Sequence, residues 1–323
     1  MTGLSKWMRA AAAVLGLTAS VGVAQTDSTE YVEEEIDFSL YDDLGFADEG
    51  AKRFCSPKIE GLSPAKLISV GYDLQGGFVL DAGEILGADG STLAPGSTGR
   101  VNAAHGVRAG FNVPVVSRTN VVWQMGANFW DTQYAYDTPP TEADNPLHRA
   151  LAEHDLRTTG INTTLFKPLD SKQFILFQGS ADLSGTDGIG LMPAKYLKCS
   201  AALIYGQRPT ERKQWGVGLA RTYRVGEINY IPVVLYNATD ARNKWGTEVL
   251  FPARAHVRRT ITPRKMLFFG YELEGQSYRV WNDPDLRSED LEIRRGEARV
   301  RFVYECSVKD FIWLSVQAGY RVN

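Results

Sequence analysis

Residues 311–322 read F-I-W-L-S-V-Q-A-G-Y-R-V. Ile312, Leu314, Val316, Ala318, Tyr320 and Val322 alternate with Ser315, Gln317, Gly319 and Arg321. A side-chain period of two marks an extended strand with one apolar and one polar face. Sustained over about ten residues, it matches the length a tilted strand needs to cross the hydrocarbon of a membrane.

The same alternation recurs upstream. Ile68, Val70, Tyr72 and Leu74 oppose Ser69, Gly71 and Asp73. Val107, Ala109, Phe111, Val113 and Val115 oppose Arg108, Gly110 and Asn112, and Val121, Trp123, Met125, Ala127 and Phe129 oppose Gln124, Gly126 and Asn128. Further segments lie near 154–166, 172–183, 194–207, 213–224, 228–238, 245–259, 265–277, 291–306 and 310–322. About twelve strands with Gly, Pro and Asp turns between them predict an all-β fold. Pro146–His154 is the one short helical candidate. The polar rows carry Gly, Ser, Asn, Gln, Arg and Glu rather than the Lys and Glu of a water-facing sandwich face. That composition suits a crowded polar interior. Trp123, Trp130, Trp215, Tyr223, Trp245, Trp313 and Tyr320 stand near strand ends, as in the aromatic girdles of membrane barrels. The expectation is a single antiparallel, up-and-down transmembrane β-barrel over residues 64–323. A soluble secreted β-sandwich that binds a ligand is the alternative.

The chain opens differently. Lys6 and Arg9 precede an apolar run from Ala10 to Val23, and Gly22 and Ala24 supply small residues before Gln25. Residues 1–24 therefore read as a cleavable export signal peptide, with a run too short for a spanning helix. No Cys stands at the cleavage point for a lipid anchor. Residues 25–63 form a second block. Asp27–Glu49 holds ten acidic residues and no Lys or Arg, interspersed with Tyr31, Ile36, Phe38 and Leu40. It reads either as a solvated, disordered periplasmic tail or as a segment that docks into a basic barrel interior or onto a partner. The formal charge of −3 is mild, and with an export signal it leaves no role on nucleic acid. Cys55, Cys199 and Cys306 are odd in number and widely spaced, so they outline neither a disulfide framework nor a metal site. No cofactor is expected.

Bacterial barrels alternate short periplasmic turns with long outer loops. Short connections near 117–120, 168–172, 209–213, 260–264 and 307–310 alternate with long ones at 81–103, 132–153 and 184–193. The long 278–290 connection then falls on the wrong side. Either one strand is miscounted between 184 and 260, or the barrel lacks a closing strand.

Enzyme motifs are absent: there is no GxSxG, HExxH or P-loop. His105 and His154 lie at strand starts, where a lipid-acting enzyme of the barrel rim would need a Ser tied to them, and none is. Asp182–Gly190 looks calcium-like but lacks the closing Glu, and reads as a turn. The strongest constellation is charge on the inward rows of the last strands. Arg254, His256 and Arg258 come first, then Glu272, Glu274 and Gln276, then Glu297, Arg299, Arg301 and Glu305. Such rows either form a structural ion-pair network that fills the interior or line a pore that selects anions or acidic solutes.

Four segments carry a resemblance: W-G-T-E-V-L-F-P-A-R-A from Trp245, F-G-Y-E-L-E-G-Q-S-Y from Phe269, L-E-I-R-R-G-E-A-R-V-R-F-V-Y-E from Leu291, and the stretch from Phe311. Together they resemble a family of bacterial outer-membrane β-barrel proteins described only as a domain of unknown function. The resemblance implies a barrel in outer-membrane lipid, inserted by the barrel-assembly machinery. It carries no substrate, cofactor or catalytic residue. The function expected is passive: a porin-like solute channel, or a structural barrel with a charge-paired lumen.

Overall fold

The computed structural model describes residues 16–24, 59–62, 66–86, 92–141, 144–186, 197–222, 229–280, 291–309 and 312–322. Among them lie seventeen strands and one helix. The strands are β1 (Gly16–Ala24), β2 (Lys66–Gln75), β3 (Phe78–Ala82), β4 (Ile85–Leu86), β5 (Thr92–Ala94), β6 (Ser97–Arg118), β7 (Val121–Tyr136), β8 (Leu156–Pro168), β9 (Gln173–Gly185), β10 (Lys198–Thr210), β11 (Lys213–Thr222), β12 (Asn229–Thr239), β13 (Trp245–Phe251), β14 (Arg254–Thr262), β15 (Lys265–Val280), β16 (Leu291–Lys309) and β17 (Ile312–Val322). The helix α1 (Pro146–Glu153) lies between β7 and β8.

Fifteen strands form one sheet, in which each strand from β6 to β17 pairs with the next along the chain. β17 then pairs with β1, β1 with β2, and β2 with β6, so the sheet closes on itself as a barrel. β3 extends the far end of β6, and β4 pairs with β5 apart from the sheet. A shorter circuit also closes. The upper part of β15 leans across the interior and meets β9 through Arg279 and Gly185, which joins β9–β15 into a ring of seven strands.

The expected twelve strands are thus too few, for two reasons. The stretch 245–259 is a hairpin, β13 and β14, reversed at Phe251–Arg254; continuous apolar alternation through Phe251, Ala253 and Ala255 hides the turn. Counting two strands there returns the connection between β15 and β16 to the long-loop side, so the miscounted strand is the correct option. The closing strand is Gly16–Ala24, read from the sequence as part of the export signal. Its alternation of Leu17, Ala19, Val21 and Val23 with Thr18, Ser20 and Gly22 also suits a strand, and Val21 lies in register with Val70 and Leu314. The acidic segment falls outside the described residues except for 59–62, as do Asp187–Gly190 of the calcium-like stretch.

Short turns are fixed by local polar contacts. Asp170 accepts hydrogen bonds from the backbone N–H of Lys172 and of Gln173, both 2.7 Å. Those donors hold its carboxyl below the usual carboxylate range. Asp240 closes the next such turn by accepting from the Trp245 N–H at 2.9 Å. The helix starts on Asn145, which caps the Leu147 N–H at 3.0 Å and is followed by Pro146.

The outward face is apolar over much of its area. Val70, Tyr72, Phe111, Leu203, Val217, Leu219, Val257, Phe269 and Phe302 are all exposed on it. The interior is filled in three layers. At the short-turn end Val122, Phe166, Phe174, Leu176, Ile204, Val233 and Leu235 form an apolar cluster, continued by Met266, Phe268, Val303 and Trp313. Trp313 is therefore an inward core residue and not part of a girdle. At the long-loop end α1 contributes Ala150 and Leu151 to a cluster with Leu156, Tyr278 and Ile293. Charge occupies the layer between.

Candidate functional site

The charged middle layer begins with a conflict in register. Glu274 on β15 lies directly opposite Glu297 on β16, and like charges in that position repel. Three further arginines and one from across the barrel resolve it. Arg299 reaches Glu274 at 2.5 Å and Glu297 at 2.6 Å. Arg295 pairs with Glu297, and Arg321 on β17 approaches the same carboxylate at 3.4 Å. From β6, Arg108 forms a two-pronged contact with Glu274 at 3.1 and 3.2 Å. Arg108 also pairs with Asp73 on β2 and lies 4.9 Å from the centre of the Trp130 ring. Paired guanidiniums and carboxylates of this kind satisfy charges that would otherwise be costly to bury.

The other expected residues flank this cluster. Glu272 pairs with Arg301 and lies 3.6 Å from His256. Arg258 has a side chain only 1% exposed; it donates to the Gly61 carbonyl and to Thr239 Oγ1, and approaches Glu248 at 3.6 Å. Arg254 stands apart at the start of β14, exposed and, among the described residues, without an ion pair. Gln276 donates to Ser184 at 2.6 Å and Glu305 accepts from Lys66 at 2.6 Å, so of the ten expected residues Arg254 alone is exposed. The ladders between adjacent strands are supplemented by contacts that cross the interior. Asp73, Arg108, Arg295 and Arg321 were missed as partners, although Asp73, Arg108 and Arg321 lie on polar rows legible in the sequence.

The hollow bounded by Arg108, Trp130, Glu274, Arg295 and Glu297 holds about 10 Å³, room for one water at most. A larger hollow of about 350 Å³ lies against Val107, Phe129, Asp131 and Arg157. There Arg157 is already matched by Asp131 at 2.9 Å and Asp155 at 2.6 Å.

The short-turn mouth is stoppered by residues 59–62. Glu60 accepts both prongs of Arg212 at 2.9 and 3.1 Å, the Glu60 N–H donates to the Glu211 carbonyl at 2.7 Å, and Ile59 is buried. The hydrogen bond from Arg212 holds the Glu60 carboxyl below its ordinary range. These contacts belong to residues 59–62 alone; Asp27–Glu49 lies outside the described residues.

Catalytic geometry is weak. His105 stacks on Tyr72 with ring centres 6.1 Å apart. Ser277 donates to Glu292 at 2.6 Å and touches Lys198, but it is buried beyond the reach of a substrate. Cys199 and Cys306 are free thiols, and among the described residues no three His, Cys, Asp or Glu side chains gather to hold a metal.

Fold and interior define a closed, side-chain-filled antiparallel β-barrel. No protein-family model and no curated protein matches the chain.

Proposed function

We propose that the chain is an outer-membrane β-barrel that works as a sealed, charge-clamped anchor rather than as an open solute channel. The observation that carries this reading is the 10 Å³ hollow in the middle layer, with apolar clusters above and below it. A hydrated solute needs a continuous polar path, and three packed layers interrupt one. The membrane part of the reading is supported by the outward apolar rows that recur from strand to strand, since contiguous exposed apolar surface marks contact with a membrane or a partner. No helix among the described residues is long and apolar enough to cross a membrane, so any crossing belongs to the strands.

In this reading the short-turn rim, where residues 59–62 dock, faces the periplasm. Residues 1–24 direct export, and the barrel-assembly machinery inserts the chain. Cleavage after Ala24 would remove β1 and leave β2 and β17, which run in the same direction, to meet as a parallel pair. Mass spectrometry of the mature N-terminus distinguishes the two closures.

The test of the anchor is electrical. Purified protein in planar bilayers is expected to give no conductance steps. Steps whose ion selectivity moves toward cations in Arg299→Glu would restore the channel and its small-anion cargo. Cell fractionation tests the membrane itself: recovery in the soluble periplasm without detergent would overturn the barrel's placement and favour a secreted binding protein.

A further inference from the structure

The wall of the barrel has a cut-out above the β13–β14 hairpin. β13 covers β12 only from Val234 to Thr239, so Tyr230–Val233 run on beyond that ladder with no strand beside them on that side among the described residues. β14 covers β15 only as far as Glu272, with one further bond from the Leu273 N–H to the Ala253 carbonyl at 2.8 Å. Beyond that, β15 departs across the interior to β9. Among the described residues nothing closes the gap. Pro232 lies on the uncovered stretch of β12, where a residue without an N–H is tolerated.

The hairpin is too short for the band it would stand in. Its first strand has seven residues, which at about 3.4 Å each and a tilt of roughly 40° rise about 18 Å, against an apolar band of about 25 Å. Its tip is apolar to match. Phe251, Pro252 and Ala253 form the turn, whereas the other short turns among the described residues carry Thr119–Asn120, Asp170–Lys172, Glu211–Arg212, Asp240–Lys244 and Pro263–Arg264. A tip in water has no use for Phe-Pro-Ala, and a tip ending inside hydrocarbon does. Tyr230 (66% exposed), Phe251 (52%) and Leu273 (45%) rim the gap. Just inside it stands Arg254, which among the described residues has no ion pair, whereas Arg258 on the same row approaches Glu248 at 3.6 Å. The register partner of Arg254, Glu272, is already held by Arg301 and His256.

We propose that this cut-out takes an acyl-chain amphiphile with an anionic head. The chain lies in the bilayer against Tyr230, Phe251 and Leu273, and the carboxylate or phosphate passes through the wall to Arg254. The inference rests on the membrane reading above, and the experiment separates the two.

The first arm uses full-length protein in nanodiscs with Cys55, Cys199 and Cys306 replaced by Ser. A spin label is attached in Phe251→Cys or, as a control on the outward face of β11, in Val217→Cys. Both labels are expected to collide with oxygen more than with a water-soluble nickel chelate. A lipid-accessible control beside a water-accessible label at the hairpin tip would sink the cut-out and leave the membrane reading standing. Two water-accessible labels would sink both.

The second arm measures saturable binding of the fluorescent fatty acid cis-parinaric acid. Arg254→Gln is expected to weaken it roughly tenfold or more, the loss of one charge-assisted contact, while Arg294→Gln leaves it unchanged. Competition by palmitate alone assigns a carboxylate head, and competition by lysophosphatidic acid alone assigns a phosphate. Absence of saturable binding, or equal binding by Arg254→Gln and parent, would overturn the proposal. Retained heat-modifiable migration in gels shows that the variants are folded.

Discussion

The middle of the barrel interior is filled by arginines and carboxylates, and the short-turn end by Phe166, Phe174, Ile204, Met266 and Trp313. Both layers exclude water, but they do so on different terms. Each apolar side chain gains about 1.5–3 kcal/mol on burial, largely independently of any single neighbour. The charged layer recovers its large desolvation cost only when every partner is present. One layer degrades gradually under mutation, and the other fails at its first missing charge.

The largest effect is expected in the charged layer. Arg108→Met removes the cross-barrel partner that Glu274 has among the described residues and should cost ~3–5 kcal/mol. Denaturant midpoints for the detergent-solubilised protein would measure it. Adding Glu274→Leu to that variant should restore much of the loss; a double variant as weak as the sum of the singles would show that the two residues act separately. In the apolar layer, Ile204→Val removes one buried methylene and should cost about 1 kcal/mol. If that conservative change rivals Arg108→Met, the contrast between the layers is wrong.

The smallest effect belongs to the mouth, where Glu60 and Arg212 meet in solvent. The Glu60 carboxyl is depressed in the docked state. Its contribution is therefore present above the ordinary Glu value and lost as pH falls through the lowered one. The protection factor of the Leu62 amide, whose N–H bonds the Ile59 carbonyl, taken relative to the intrinsic exchange rate at each pH, should fall on acidification in the parent and show no such step in Glu60→Gln. Acid-independent protection in the parent would remove Glu60 from the latch.

Alternation exposed the two faces of most strands, because a strand's period is short and local. It could not expose the reversal at Phe251–Arg254, where apolar residues continue through the turn, or the strand formed by Gly16–Ala24, whose small alternating residues serve equally as a leader. The charged residues were legible as inward rows on β14, β15 and β16. Their true partners were not, because Arg108 meets Glu274 across 166 positions of sequence, and closure of the sheet alone brings those strands together. The apolar rows inside the short-turn end were equally hidden. Phe166, Phe174 and Met266 carry the same chemistry as the outward belt, and only the curvature of the closed sheet turns them inward.

The Glu274–Glu297 juxtaposition also bears on the order of assembly. Both carboxylates come from the late hairpin of β15 and β16, whose own Arg295 and Arg299 offset part of the repulsion. The remaining compensation comes from Arg321 on β17, the strand next to β16, and from Arg108 on β6 at the other end of the sheet. An unfinished barrel therefore keeps an under-neutralised acidic pair beside its open edge, and zipping the ring shut removes it. Completion of the circle would deliver the last neutralising charge, that of Arg108, to a pair already part-compensated by Arg295, Arg299 and Arg321.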